Sequence, residues 1–143
     1  MQKETKVLFL SIRNSVRAQM AEGFLRALGG GRFISASGSV ESAEGIHPVA
    51  AAVMAEDGID ITTQHPKNVG QWFRESFSYV ITLADQKSER APLYPFTPRL
   101  LHWNVRDPLL VKGSREEEKQ AFRQVRDEIK AQVLRFASQT VKR

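Results

Sequence analysis

A serine and an arginine six positions apart occupy the loop between a predicted strand and a predicted helix. Residues 11–17 read SIRNSVR, follow the apolar run KVLFL and precede a helical pattern over residues 19–28. Backbone N–H groups converge at such a junction, and the helix dipole favours negative charge there. An arginine can hold a tetrahedral oxyanion through two parallel hydrogen bonds. The loop is therefore predicted to bind a tetrahedral oxyanion through Ser11, Ile12, Arg13, Asn14, Ser15, Val16 and Arg17.

The side chains of this loop carry different expectations. A serine hydroxyl is a poor nucleophile unless a neighbouring base takes its proton, and no histidine, aspartate or lysine adjoins Ser11 in the loop. We therefore interpret Ser11 as a hydrogen-bond donor to the anion, with a residual nucleophile as the alternative. Arg17 is expected to bind the anion, because a merely solvated arginine is unfavourable in the first turn of a helix. Arg13 either adds a second cation at the mouth of the site or faces water.

Composition excludes several classes of chemistry. The chain has 143 residues, which fits one domain over residues 1–143, and it contains no cysteine. Disulfides, thiolate metal sites and thiol catalysis are therefore all excluded. The three histidines, His47, His65 and His102, have no metal-ligand spacing. We predict neither a metal site nor a cofactor.

The charge is basic without a basic cluster. Lysine and arginine outnumber aspartate and glutamate by 21 to 16, a formal net charge of +5. These cations are scattered and not interleaved with aromatic residues, so a nucleic-acid partner is not predicted. No apolar run is long enough to span a bilayer, and the polar start MQKETK does not resemble a signal peptide. The expectation is a cytoplasmic location without membrane contact.

Strand-like and helical patterns alternate along the chain. Strands are predicted over residues 6–10, 33–37, 77–83 and 100–103. Helices are predicted over residues 19–28, after His47-Pro48, more weakly over residues 70–77, and through a long final segment. A capping box of Ser114 and Glu117 is expected to begin that final helix. Such alternation indicates an α/β fold with a parallel sheet and a ligand site at the carboxyl ends of its strands.

The loop and its flanks resemble a known family. VLFLSIRNSVRAQMAEGFLRALGGG is similar to the phosphate loop of the low-molecular-weight protein tyrosine phosphatases, and most similar to the thioredoxin-coupled arsenate reductases among them. Ser11 stands in place of the family's nucleophilic cysteine, and Ala18 in place of a hydroxyl residue that stabilises the thiolate. The resemblance implies a four-stranded parallel sheet in the order 2-1-3-4 with helices on both faces. The retained family residues are Asn14, Ser15, Arg17, Gln19, Met20, Ala21 and Glu22.

Two further segments match family positions. Asp107, followed by Pro108, stands where the phosphatases carry the acid that protonates the leaving group and later activates water. Ala84 and Ala91 stand where the reductases carry two redox cysteines. The resemblance therefore implies catalytic positions at Ser11, Arg17 and Asp107, in a chain that lacks all three sulfurs of arsenate reduction.

Some reductases also hold a monovalent cation beside the loop. Asn14 and Glu22 match two of its ligands, whereas Ala36 and Lys67 replace others. The Lys67 ammonium either substitutes for the cation and pairs with Glu22, or lies exposed in the loop HPKN.

These observations favour a catalytically inactive or impaired relative that binds an oxyanion and serves as a sensor or partner-binding module. A protein partner is compatible with this interpretation. One alternative is a weak phosphatase that uses Ser11 or an activated water together with Asp107. Another is an engineered, cysteine-free form of a genuine arsenate reductase, because serine and alanine are common replacements for cysteine.

Overall fold

A parallel sheet forms the centre of the fold. The computed structural model describes residues 4–41, 45–90 and 99–140. Its strands are β1 (Thr5–Ser11), β2 (Phe33–Ser39), β3 (Lys67–Asn68), β4 (Tyr79–Ala84) and β5 (Leu100–Asn104). They are ordered β3-β2-β1-β4-β5, and every neighbouring pair is parallel. The central strand β1 therefore ends between two neighbours that run in its own direction.

The prediction of four strands in the order 2-1-3-4 was wrong in the number of strands. The additional strand, β3, has two exposed residues that pair with Gly38 and Ser39 at the edge of the sheet. Two residues cannot display an alternating pattern, and the local sequence HPKN has no strand signal. The pairing therefore depends on the tertiary position of the segment. The other four strands run β2-β1-β4-β5.

Three α-helices follow the predicted alternation. Their bounds are α1 (Val16–Leu28), α2 (Pro48–Glu56) and α3 (Arg115–Thr140), with short 3-10 helices at Val69–Trp72 and Pro108–Leu110. The capping box before α3 is confirmed, because the Ser114 N–H donates to Glu117 Oε1 at 2.8 Å and the Glu117 N–H donates to Ser114 Oγ at 3.1 Å. The helix predicted over residues 70–77 is reduced to the first of the two 3-10 helices.

The two faces of the sheet are covered differently. Val7 and Phe9 of β1 belong to a large buried cluster with residues of α1, α2 and α3. Leu8 and Leu10 point to the other face and pack in a smaller cluster that includes Phe77 and the 3-10 helix Val69–Trp72. Among the described residues, the α-helices therefore cover one face of the sheet, and the second face is covered by a single 3-10 helix instead of the expected α-helices.

The strand order brings three segments to one edge of the sheet. β1 ends at Ser11, β4 ends at Ala84 next to it, and the chain after β5 reaches Asp107 three residues later. Because parallel strands present their carboxyl ends at the same edge, loops that are distant in sequence meet there. In the part of the chain that the structure describes, no helix has the length and apolar character required to cross a membrane.

Candidate functional site

Ser11 lies at the carboxyl end of the central strand and is fully buried. Its Oγ accepts a hydrogen bond from the backbone N–H of Ala18 at 2.9 Å, across the loop. Within the described ranges, no side chain that could act as a base is hydrogen-bonded to this hydroxyl. An alcohol in this setting has no group to take its proton, so it is a weak nucleophile.

Asn14 holds the turn between β1 and α1. Its Oδ1 accepts from the backbone N–H of Val16 at 3.0 Å, and its Nδ2 donates to Asp107 Oδ2 at 3.1 Å. The first bond satisfies an N–H at the beginning of α1, a group that has no partner within the helix itself. Asn14 therefore fixes the loop and connects it to Asp107.

Several backbone donors of the loop have no partner. Among the described residues, no acceptor is hydrogen-bonded to the N–H groups of Arg13, Asn14, Ser15 or Arg17. Donors without partners at the amino-terminal end of a helix are the groups that bind anions in proteins. The loop therefore presents backbone donors of the kind that the predicted anion binding would use.

Arg17 is the largest fully buried side chain of the described residues. Its Nη1 and Nη2 donate to Glu89 Oε1 and Oε2 at 2.7 and 2.8 Å, which is a bidentate pair. Nη1 also donates to the carbonyl oxygen of Val105 at 2.9 Å. Arg17 Nε is buried and has no hydrogen-bond partner among the described residues. The guanidinium is thus occupied at its end, while one donor on its side is left open.

Asp107, in the segment after β5, lies next to Arg17. Asp107 is buried, and its Oδ1 accepts from the Leu109 N–H at 3.0 Å, which caps the 3-10 helix that follows. Its Oδ2 lies 3.7 Å from Arg17 Nη2. A carboxyl group beside the loop can exchange a proton with a bound anion or with a water molecule.

Arg13 points toward the segment that follows β4. Its Nη2 donates to the Ser88 carbonyl oxygen at 3.1 Å, and its Nη1 lies 3.3 Å from Glu89 Oε2. The side chain is about a third exposed, at 31%. Arg13 therefore does not simply face water, and whether it also serves as a second cation for an anion stays a prediction.

Glu89 is the site residue that sequence reasoning missed. Its side chain is buried, contacts both Arg13 and Arg17, and accepts from the Asp85 N–H at 2.8 Å. Burial alone would raise the pKa of Glu89, but the hydrogen bonds and charges of these partners outweigh it and lower the pKa. A buried arginine requires a carboxylate nearby, and the few acidic residues between the two former redox positions were the available signal.

Of the two positions that match the redox cysteines of the reductases, the structure describes only Ala84. Ala84 is buried at the end of β4, adjacent to the β1 end. Ala91 lies outside the described residues. The interpretation of Ala84 as a position without redox chemistry rests on its methyl side chain alone.

A groove includes in its lining three of the positions that the sequence suggested for a replaced cation site, Glu22, Ala36 and Lys67. It has a volume of about 370 Å³ and includes Glu22, Ser37, Lys67 and Trp72 in its lining. Burial raises the pKa of Glu22, whose Oε1 accepts from Ser37 Oγ at 2.5 Å. The Lys67 ammonium instead lies 4.8 Å from the centre of the Trp72 ring. Among the described residues it forms no ion pair with Glu22, so it does not act as the suggested substitute for the cation.

Comparison with known proteins agrees with this geometry. The family model described as low molecular weight phosphotyrosine protein phosphatase matches residues 6–143. An arsenate reductase of Shouchella clausii is 36% identical over 135 residues, which cover 92% of this chain and 94% of that protein. An arsenate reductase of Bacillus licheniformis is 36% identical over 137 residues, which cover 96% of this chain and 97% of that protein.

Solved structures give the same result. A structure described as an arsenate reductase in the phosphate binding state has a TM-score of 0.78 and 32% identity, and the match covers 94% of this chain and 98% of that one. Sequence and fold therefore agree over nearly the whole length. With a strand, loop and helix in the family arrangement and no cysteine anywhere, this chain belongs to the low molecular weight phosphotyrosine protein phosphatase family, close to its arsenate reductases.

Proposed function

We propose that this protein binds a tetrahedral oxyanion, such as phosphate, arsenate or sulfate, in the loop of residues 11–17, and that it has lost the redox chemistry of its relatives. The observation that carries the proposal is the buried Arg17 Nε, which has no acceptor among the described residues and lies in a loop with several open N–H groups.

The energetic argument starts from these open donors. A buried donor without an acceptor costs about 1–3 kcal/mol, and more when the group is charged. An oxyanion supplies several acceptor oxygens at once, and charge-assisted hydrogen bonds to it are shorter and stronger than neutral ones. Binding of such an anion would satisfy donors that the folded chain otherwise leaves open.

The family relationship supports the same site. The similar structure described as an arsenate reductase in the phosphate binding state indicates that one relative takes up phosphate. By its sequence resemblance to the family, this chain keeps Asn14 and Arg17 of the phosphate loop, and both lie at the loop in the structure. The proposal extends the phosphate binding of that relative to this protein.

The loss of reduction follows from chemistry. Reduction by the family route requires thiols that attack arsenate and then resolve the intermediate, and this chain has no cysteine. Ser11 cannot replace the thiol in this route, because an alcohol oxygen does not form the disulfide through which the electrons pass. The remaining function is recognition of the anion, as a sensor or in complex with a protein partner.

A weak phosphatase is a second candidate, favoured by one observation. Asp107 Oδ2 lies 3.7 Å from Arg17 Nη2, so the carboxyl group is within reach of an anion held by that arginine. Under this candidate, Asp107 would serve as the acid and a water molecule or Ser11 as the nucleophile. Release of phosphate from an aryl phosphate, lost in Asp107→Asn, would support it.

An engineered origin of the cysteine-free sequence would leave the proposed anion site unchanged. The replacements at Ser11, Ala84 and Ala91 are compatible with it, whereas Arg13, Val16 and Ala18 fit it less easily. The codons of the encoding gene at positions 11, 84 and 91 would decide between engineering and natural divergence.

The proposal is tested by anion titration with a matched pair of variants. Isothermal titration with phosphate at constant ionic strength is expected to show one site in the wild type. Arg17→Lys should weaken binding about tenfold or more, because a lysine lacks the planar fork that holds two oxygens. Arg123→Lys is the control, since Arg123 also pairs with a carboxylate, Glu56, but lies in α3.

Thermal unfolding provides an independent measurement. A ligand at 100 times its Kd stabilises the folded state by about 2.7 kcal/mol. The melting temperature of the wild type should therefore rise with phosphate, and that of Arg17→Lys should rise less. Equal phosphate responses in Arg17→Lys, Arg123→Lys and the wild type would show that the loop is not the site.

A further inference from the structure

The Arg17–Glu89 pair uses some of the guanidinium donors of Arg17 and leaves others available. A guanidinium has five N–H donors in a fixed plane. One donor of Nη1 and one of Nη2 form the fork at its end, and both are taken by the Glu89 carboxylate at 2.7 and 2.8 Å. The second Nη1 donor is taken by the carbonyl oxygen of Val105. The end of the guanidinium is therefore fully satisfied.

The side of the guanidinium is not satisfied. By the geometry of the group, the Nε donor and the second Nη2 donor point in the same direction and form a side fork. Arg17 Nε has no partner among the described residues, and for the second donor of Nη2 the nearby carboxylate is that of Asp107, whose Oδ2 lies 3.7 Å from Nη2. Asp107 is itself hydrogen-bonded to Asn14 of the loop. The open fork thus lies on the side of the arginine where the loop and Asp107 meet.

Glu89 is held firmly enough to fix this orientation. Its Oε1 accepts from the Asp85 N–H at 2.8 Å as well as from Arg17, and its Oε2 lies 3.3 Å from Arg13 Nη1. The carboxylate is buried, with 1% of its side chain exposed. Two arginines and one backbone donor therefore fix the position of the carboxylate, which in turn fixes the rotation of Arg17.

We propose that Glu89 is a positioning residue that binds the end of Arg17 and thereby directs its open side fork at the oxyanion. This role rests on the proposed anion site and adds to it a residue from the segment that follows β4.

The opposite role for Glu89 makes an opposite prediction. If its carboxylate occupied the anion's own place on Arg17, an incoming anion would have to displace it, and weakening the pair would strengthen anion binding. Removing the charge of Glu89 would also strengthen anion binding, through reduced repulsion alone. A charge-conserving change is therefore required to separate positioning from both effects.

Glu89→Asp provides that change, because it keeps the charge and withdraws the carboxylate by one methylene group. Positioning predicts that phosphate affinity falls about tenfold, the factor expected for one misdirected charge-assisted hydrogen bond. The matched control is Glu75→Asp, since Glu75 is in an exposed ion pair with Lys6 at 3.0 Å. That control should bind phosphate as the wild type does.

The alternative outcomes are distinct. Tighter phosphate binding by Glu89→Asp would overturn positioning in favour of displacement. Unchanged affinity with a lower melting temperature would reduce Glu89 to a structural role. If the wild type itself shows no phosphate binding that depends on Arg17, the proposed anion site fails, and this result is separate from either outcome at Glu89.

Nuclear magnetic resonance of the wild type tests the proposal without relying on a variant that folds poorly. The Arg17 Nε–H signal, assigned by its absence in Arg17→Lys, should shift during phosphate titration. The side-chain carboxyl carbon of Glu89 should keep its chemical shift, because the carboxylate stays on the arginine. A large shift of that carbon on phosphate addition would show displacement and overturn the proposal.

Discussion

Restoring a thiol at position 11 is the sharpest test of the loop's electrostatics. Ser11→Cys places a single sulfur in a chain that otherwise has no cysteine, so every thiol signal reports on this one site. The Ala18 N–H that now donates to Ser11 Oγ at 2.9 Å would donate to the sulfur. A donor aimed at the sulfur stabilises the thiolate more than the thiol and therefore lowers the pKa.

The magnitude can be estimated from two contributions. A hydrogen bond to a charged group is worth about 1.5–3 kcal/mol, against about 1 kcal/mol for a neutral one. The difference corresponds to about one pKa unit or slightly more, and the end of α1 adds about half a unit through its dipole. Arg17 contributes little, because its charge is compensated by Glu89. Burial acts in the opposite direction. With burial subtracted from this sum of about one and a half units, we expect a thiol pKa about one unit below the ordinary value of about 8.5.

The assay follows the ultraviolet absorbance of the thiolate with pH, which does not require a reagent to reach a buried sulfur. Ser138→Cys, at an exposed position near the end of α3, is the reference thiol in the same chain. Rates of alkylation at mildly acidic pH give a second readout. A thiol at position 11 that titrates at or above the reference would refute the reasoning, because the loop would then not direct its donors at that position.

Three other outcomes are expected. Glu22→Gln should stabilise the protein at neutral pH, because burial raises the pKa of Glu22 in the folded state and the stability linked to its protonation, which is full below the ordinary glutamate pKa of 4.5, is lost as pH rises. Urea unfolding at acidic and neutral pH measures the gain, and a larger gain at acidic pH would contradict the prediction. Asn14→Ala should cost about 1–2 kcal/mol of folding free energy, since it removes the acceptor of the Val16 N–H and the donor to Asp107, and a loss below measurement error in urea unfolding would argue against that role. Arsenate should not be reduced in a complete thioredoxin system, and sustained consumption of reduced cofactor above the protein-free rate would disprove the absence of redox chemistry.

The local elements were accessible from the sequence because their causes are local. The apolar run before residue 11, the apolar periodicity over residues 19–28 and the capping box at Ser114 each act within one or two helical turns. The missing cysteines are also a fact of composition, which no folding event can change. These features determined the fold class, the family and the exclusion of thiol chemistry.

Features whose causes lie in tertiary contacts were predicted less well. Strand β3 is two residues long and depends on the edge of β2 for its hydrogen bonds, so no pattern in its own sequence indicates it. The segment over residues 70–77 has helical periodicity, yet only a 3-10 turn forms, packed beside Phe77 under the second face of the sheet. In both cases a tertiary contact overrides a weak local preference.

The site also combines features set by local sequence with contacts set by the tertiary structure. The sequence determined that a serine, an asparagine and an arginine lie in one strand–loop–helix junction, because so few consecutive residues cannot be far apart. Only the tertiary structure decided which carboxylates meet Arg17, since Glu89 and Asp107 are separated from it by 72 and 90 residues in sequence. Their approach depends on the parallel order of β1, β4 and β5, which brings the three carboxyl ends together at one edge of the sheet. A buried guanidinium must be paired, and the topology of the sheet selects its partner.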